Sequence, residues 1–281
     1  MSDGPRLVPD GLEATLVLLR HGESMAIVEG RFQGRLETPL SPLGLRQAEL
    51  AGMRLASPGE PPHVPIPARP PVEIVHSPLG RTRQTAEAAA AALRAVHGAA
   101  AVPALRAEPG LVELAQGAWE GLHRADVVGR YPDELEAWRR RPTEAQAPGG
   151  ERVLDAVARA RDALGAAMAR LVEARPGEGS DAGHAGGYPA SHGPDTPWTL
   201  LVGHDGIFKV ALLALLGLPI ERFWVFPWSL TGITVVELVG GRAVLRAHNL
   251  ADHLGPLQVE QAAAEARAES EAEARERSGS L

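Results

Sequence analysis

Apolar residues along the chain switch between an unbroken pattern and a three-to-four-residue period, and that switching lays out strands and helices in turn. Thr15-Leu16-Val17-Leu18-Leu19 is an uninterrupted run that stops at Arg20-His21-Gly22; Trp198-Thr199-Leu200-Leu201-Val202 is another, ending at Gly203-His204-Asp205. Runs of this kind read as strands covered on both faces, as in a parallel sheet between helical layers. Val72-Glu73-Ile74-Val75 gives a third strand and Ala101 to Leu105 a short further one. Helical spacing fills the intervals. Pro42 to Ala56 offers Leu45, Ala48, Met53 and Leu55 as a stripe, and Thr82 to Val96, Arg124 to Gly129, Asp133 to Arg140 and Gly206 to Leu216 follow. From Glu151 to Val172, Val153, Val157, Ala160, Leu164, Met168 and Leu171 recur on one side, which turns that helix to a sheet. Gly232 to Val239 and Ala243 to Ala247, joined through Gly240-Gly241-Arg242, predict a hairpin and hence an antiparallel strand. The expected architecture is a three-layer α/β/α sandwich with a mainly parallel central sheet and an antiparallel edge strand.

The chain of 281 residues suits one large α/β domain, expected over residues 1–257. Residues 57–71 are proline-rich and read as a surface excursion; residues 177–197, rich in Gly, Pro, Ser and Asp, read as a flexible insertion. His184 and His192 lie within it, and two isolated histidines in such a segment are not a metal site. Residues 258–281 form an Ala-Glu-Arg tail without a sustained apolar stripe, a solvated helix or a disordered segment. Absence of cysteine removes disulfides, thiolate nucleophiles and thiolate metal sites. A net charge of -7 with no basic stripe argues against nucleic acid as a partner. The longest apolar run, Val210 to Leu216, is too short to span a bilayer, so a cytoplasmic protein without a membrane partner is expected.

Candidate chemistry gathers where strands end, the edge at which ligands bind in open α/β sheets. Arg20 and His21 close the first strand, and a forked guanidinium beside an imidazole suits a phosphate or a carboxylate. After the second, Ser77-Pro78 predicts a helix start with Ser77 as its cap, Pro78 first and Arg81 in the opening turn beside anion-attracting amides. Glu113, flanked by Val112 and Leu114 in a glycine-punctuated loop, is a candidate general acid if partial desolvation holds its proton near neutrality. His204 stands at the same sheet edge as His21, with Asp205 placed to cap the following helix and, if close, to favour the imidazolium form.

These four segments in this order resemble the histidine phosphatase superfamily, the phosphoglycerate mutase-like group, from about Leu16 to Leu254. Gln33-Gly34, Thr38-Pro39-Leu40-Ser41, Gly44 and Gln47-Ala48 fit its loop into the first helix; Pro148-Gly149-Gly150-Glu151, Asn249 and His253-Leu254 fit as well. The resemblance implies that His21 is phosphorylated in turnover, that Arg20, Arg81 and His204 clamp the phosphoryl group and that Glu113 donates the proton. Ser24, Gln33 and Gly34 would join the phosphate or substrate site. It implies no cofactor, no metal, a small phosphorylated substrate and, as the one candidate assembly, a homodimer. Two positions depart from the pattern. Ile27 stands where the family usually carries a phosphate-holding Asn, so Ser24 or Gln33 would supply that contact. Asp205 stands where a small residue is usual, its charge expected to turn into the helix cap. A phosphomonoesterase is the leading reading; a phosphoglycerate mutase and a noncatalytic phospho-ligand module are the alternatives. Trp119, Tyr131, Trp138 and Arg139-Arg140-Arg141 are candidates for recognising the organic body, with packing the plainer reading for most of them.

Overall fold

The structure, a computed structural model, describes residues 7–174, 193, 195–257 and 259–260. Most of the 177–197 insertion, with His184 and His192, and nearly all of the 258–281 tail lie outside the described residues. In chain order the elements are β1 (Ala14–Arg20), α1 (Met25–Val28), α2 (Pro42–Ala56), β2 (Glu73–His76), α3 (Gly80–His97), β3 (Leu105–Ala107), α4 (Arg124–Arg130), α5 (Pro132–Arg140), α6 (Val153–Glu173), β4 (Trp198–Gly203), α7 (Asp205–Leu215), β5 (Ile233–Val239) and β6 (Arg242–Leu250).

Six strands form one sheet in the order β3-β2-β4-β1-β5-β6. β1, β2, β3 and β4 pair in parallel, and β5 runs antiparallel to both β1 and β6. The reversed strand therefore sits one place in from the edge, because β6 continues past β5 as the outer member. The hairpin turn that joins them has Gly240 at φ 56° and Gly241 at φ 72°, the positive pair that a two-residue turn needs to match strand twist. β6 is longer than the apolar pattern predicts: Arg246, His248 and Asn249 interrupt its alternation on a half-exposed outer strand.

Strand alternation sorts the core into two layers. Val17, Leu19, Ile74, Leu200 and Val202 pack with Ala51, Leu55, Ala86, Ala89 and Leu93 of α2 and α3 on one face. Leu16, Leu18, Val75 and Leu201 pack with Ala160, Leu164, Met168, Phe208 and Leu212 of α6 and α7 on the other. The predicted α2 stripe is only half right: Ala48 and Leu55 are buried, whereas Leu45 and Met53 face solvent. α2 meets α3 through small residues instead, and a β-carbon on Gly52 would lie 2.9 Å from the Ala88 carbonyl oxygen. The strand expected at 101–105 lies at Leu105–Ala107, where register with Ile74 to His76 gives it ladder partners; Ala99–Ala101 forms a 3-10 turn. α3 begins at Gly80 rather than at Pro78, with Leu79 at the cap position and no side-chain cap of its own. Glu37, reaching in from the loop before α2, accepts the Gly80 amide at 2.6 Å in its place.

Candidate active site

Three strands that are neighbours in the sheet, β2, β4 and β1, end at the same edge, and the residue after each is polar and buried: Ser77, His204 and His21. Lateral bonds hold the three ends together. The His21 amide donates to the Gly203 carbonyl and the Ser77 amide to Val202, both at 3.0 Å. The chain turns away from β1 to opposite sides at this point, toward α2 and β2 in one direction and from β4 through α7 to β5 in the other, which opens a crevice beyond the strand ends.

The two imidazoles that this topology brings together lie with ring centroids 5.1 Å apart in an edge-on arrangement. His21 is 3% exposed, and its Nδ1 is 2.6 Å from the Gly22 carbonyl. A carbonyl can only accept, so that nitrogen carries the proton and Nε2 keeps its lone pair. Burial first, then the charges of Arg81 and Arg20, hold the ring well below the usual histidine range. His204 is fully buried, with Nε2 2.8 Å from the Ser77 hydroxyl and Nδ1 buried without a protein partner. It too is held well below the usual range, by burial and then by Arg81, His21 and Arg20. The expected imidazolium at His204 is therefore corrected: burial, and after it the charges of Arg81 and Arg20, disfavour a protonated ring in the ligand-free protein.

Asp205 is not the helix cap that its position in sequence predicts. α7 takes His204 at the cap position without a side-chain bond; Asp205 is the first helical residue, paired to Lys209 and 3.9 Å from the Arg20 guanidinium. The capping carboxylate comes from Glu113, whose Oε2 accepts the Gly206 amide and whose Oε1 accepts the Ile207 amide, both at 3.0 Å, with the Leu114 amide at 2.9 Å. Its immediate surroundings are thus backbone amides as much as the apolar neighbours on which the sequence reading rested. A carboxylate has roughly four acceptor sites; the amides occupy three.

Arg81 is 1% exposed. It donates to the Leu36 carbonyl at 2.9 Å and to Gly34 at 2.8 Å, so its fork is anchored in the loop between α1 and α2. Burial pulls its pKa down to about 10, against the opposing pull of Glu113 and Glu37, which leaves it charged at neutrality. Arg20 donates to the Trp228 carbonyl, and Nε of each of the two arginines is buried with no partner among the described residues. Two cations with unspent donors beside two neutral imidazoles make a site suited to a phosphate-like anion.

The remaining predicted residues divide. Gly34 is required by its backbone: φ is 49°, its carbonyl holds Arg81, and a β-carbon there would sit 2.7 Å from the Gln116 amide nitrogen. Ser24 and Gln33 are committed to each other, Ser24 Oγ donating to Gln33 Oε1 at 2.8 Å while it caps the Ile27 amide. The Ser24 hydroxyl shapes the loop and does not take up the contact that Ile27 leaves out. Trp119 and Trp138 are core residues, in line with the plainer reading. Sequence reasoning missed one brace, Arg159, and gave no role to another, Asn249. Arg159 on α6 donates to the Gly110 and Val112 carbonyls and makes a two-pronged pair with Glu151, which fixes the loop that carries Glu113. Nothing distinguishes Arg159 among the many arginines of the chain. Asn249 accepts the Ser229 amide at 2.6 Å from within β6, and so steadies the loop whose Trp228 carbonyl holds Arg20.

A family model of the histidine phosphatase superfamily (branch 1) matches residues 16–178 and 187–251, most of the chain. The protein is a histidine phosphatase superfamily member. Among curated relatives, glucosyl-3-phosphoglycerate phosphatase of Mycobacterium tuberculosis is 33% identical over 208 residues, 74% of this chain and 78% of the relative. Phosphoserine phosphatase 1 of Hydrogenobacter thermophilus is 26% identical over 246 residues, 87% of this chain and 96% of the relative. A solved mycobacterial glucosyl-3-phosphoglycerate phosphatase in complex with VO3 superposes with a TM-score of 0.63 at 28% identity, covering 84% of this histidine phosphatase and 98% of the solved chain. Among the described residues, no helix of this histidine phosphatase is long and apolar enough to cross a membrane.

Proposed function

We propose that the protein is a phosphomonoesterase that passes the phosphoryl group of a small phosphorylated metabolite first to His21 and then to water. The observation that carries the reading is the geometry at His21: a buried ring whose Nδ1 lies 2.6 Å from the Gly22 carbonyl, which leaves Nε2 as the free nitrogen, with Arg20 and Arg81 close by. Nε2 attacks phosphorus, the ester P–O bond breaks, and Glu113 gives its proton to the departing alcohol oxygen through the acceptor position that the amides leave open. Water then attacks phosphohistidine, its proton goes to Glu113, the P–N bond breaks and phosphate leaves.

Little covalent work falls to the protein in such a transfer; placement and fixed positive charge supply most of the rate. Arg20 and Arg81 provide that charge. His204 adds to it when the incoming dianion draws a proton onto the ring, with Ser77 holding its Nε2 side. Phosphatase names among the relatives support hydrolysis over transfer to a second hydroxyl, although a relative in Proteus mirabilis, 31% identical over 163 residues, is described as a probable phosphoglycerate mutase. The test is phosphate release from an aryl phosphate in the presence of chelator, with the phosphoenzyme trapped by acid-free quench. Wild-type protein is expected to release phosphate and carry label on His21, and His21→Ala to do neither. Primer-dependent isomerisation of a phosphoglycerate in place of release would convert the reading to a mutase, and no turnover with tight phosphate binding would convert it to a binding module.

A further inference from the structure

The phosphoryl site leaves one neighbouring feature unused. A cleft of about 70 Å³ is lined by Glu113, Gln116, Trp138, Asp205, Phe223 and Trp224. It is well above the roughly 10–15 Å³ that a single water needs, so it has room for part of a solute. Glu113 and Asp205 are among its walls, and Asp205 lies 3.9 Å from Arg20, so the cleft adjoins the phosphoryl site.

The walls have a definite chemistry. Trp138, Phe223 and Trp224 form a three-ring cluster with centroids 4.8–5.8 Å apart and planes 60–83° from one another. Trp138 and Phe223 are buried, while Trp224 is 45% exposed and forms the lip. Such a cluster holds its own geometry and presents a rigid apolar surface. The charged groups that line the cleft are both carboxylates, Glu113 and Asp205. The cations nearest to them are committed: Lys209 pairs with Asp205 and lies 5.0 Å from the centroid of the Trp224 ring, and Arg20 approaches Asp205 from the phosphoryl side. The Gln116 side-chain oxygen is buried with no protein partner. The site is thus cationic where phosphate sits, and aromatic and rich in acceptors in the adjoining cleft.

We propose, on the reading of the phosphoryl site given above, that this cleft selects the leaving alcohol: an uncharged ring bearing several hydroxyls, of the sugar or cyclic polyol class. Its apolar face rests on Trp224, which Trp138 and Phe223 back from the core, and its hydroxyls donate to Asp205 and Gln116. An alcohol that brings its own carboxylate or second phosphate meets the Asp205 carboxylate and no cation among the lining residues, and is turned away, a selection by repulsion as much as by contact. Asp205, which departs from the family pattern, is the residue that sets this choice.

The test measures kcat/KM for a hexose 6-phosphate, for 3-phosphoglycerate and for methyl phosphate, which has no body to fill the cleft. Wild-type protein is expected to prefer the hexose ester over 3-phosphoglycerate by at least about tenfold, since like charges placed together are strongly disfavoured. Trp224→Ala should lower the ratio of hexose ester to methyl phosphate by on the order of tenfold, mostly through KM, and Asp205→Asn should narrow the gap to 3-phosphoglycerate. Equal use of the two metabolites by wild-type protein, or ratios that neither substitution moves, would overturn the proposal while phosphate release from methyl phosphate leaves the phosphohistidine mechanism standing. Absence of release from all three esters, with no label on His21, removes the mechanism and the cleft assignment together.

Discussion

Replacing His204 with Gln tests the claim that the site is built around imidazoles kept neutral by burial and by arginine. An unfolded histidine takes up a proton near pH 6.5, whereas the folded His204 resists it because the ring is buried beside Arg81, His21 and Arg20. Between its depressed folded pKa and 6.5 the unfolded state therefore binds more protons than the folded one, so stability is lost as pH falls through that window and is fully present above it. Within that window the loss for one such ring is at most about 1.4 kcal/mol per pH unit. His21 and His253, the latter held at about 4 by burial, add to the same slope and remain in the variant. Urea unfolding at a series of pH values from 8 to 5 should give a wild-type curve that falls more steeply than that of His204→Gln, with the two stabilities converging toward the acid end. Parallel curves, or a His204 ring that titrates near 6.5 by NMR in the ligand-free protein, would refute the account. The same reasoning couples the ring to its ligand. Phosphate or vanadate binding at neutral pH should be accompanied by net proton uptake, read from calorimetry in two buffers of different ionisation enthalpy, and His204→Gln should lose that component.

Arg81→Met removes one of two fixed cations and should lower kcat/KM by about a hundredfold or more, the order seen when one preorganised charge-stabilising donor is deleted; a loss under tenfold would remove Arg81 from the clamp. Glu113→Gln should slow alkyl esters far more than aryl esters, because a good leaving group needs no proton, and equal losses on both would show that Glu113 only caps α7. Gly34→Ala forces a side chain onto φ 49° against the Gln116 amide and displaces the carbonyl that holds Arg81. Thermal melts should show destabilisation of about 1–3 kcal/mol, with a loss of activity larger than the stability change explains. Chelator should leave the wild-type rate with an aryl phosphate unchanged, and a rate restored by added divalent ion would contradict the charge assignment.

Much of this protein was legible along the chain because local rules govern it. Five apolar residues before Arg20-His21 and before Gly203-His204 specify strands buried on both faces, and the glycine pair at 240–241 specifies the hairpin, so the layered sheet and the strand-end location of both histidines follow from pattern alone. Side-chain allegiance did not follow. Ser77 and Asp205 each occupy a good capping position, yet Ser77 turns to His204, Asp205 turns to Lys209, and the caps arrive from Glu37 and Glu113, which are distant in sequence. A cap is chosen by whichever acceptor the fold delivers to the free amides, and only the three-dimensional arrangement sets that competition. The protonation of the histidines is decided in the same way. Residue type gives a pKa near 6.5, but burial and the approach of Arg81 from the first turn of α3 move both rings well below it. Desolvation and charge are properties of the space around a group, and the order of residues determines that space only after the sheet has closed over it.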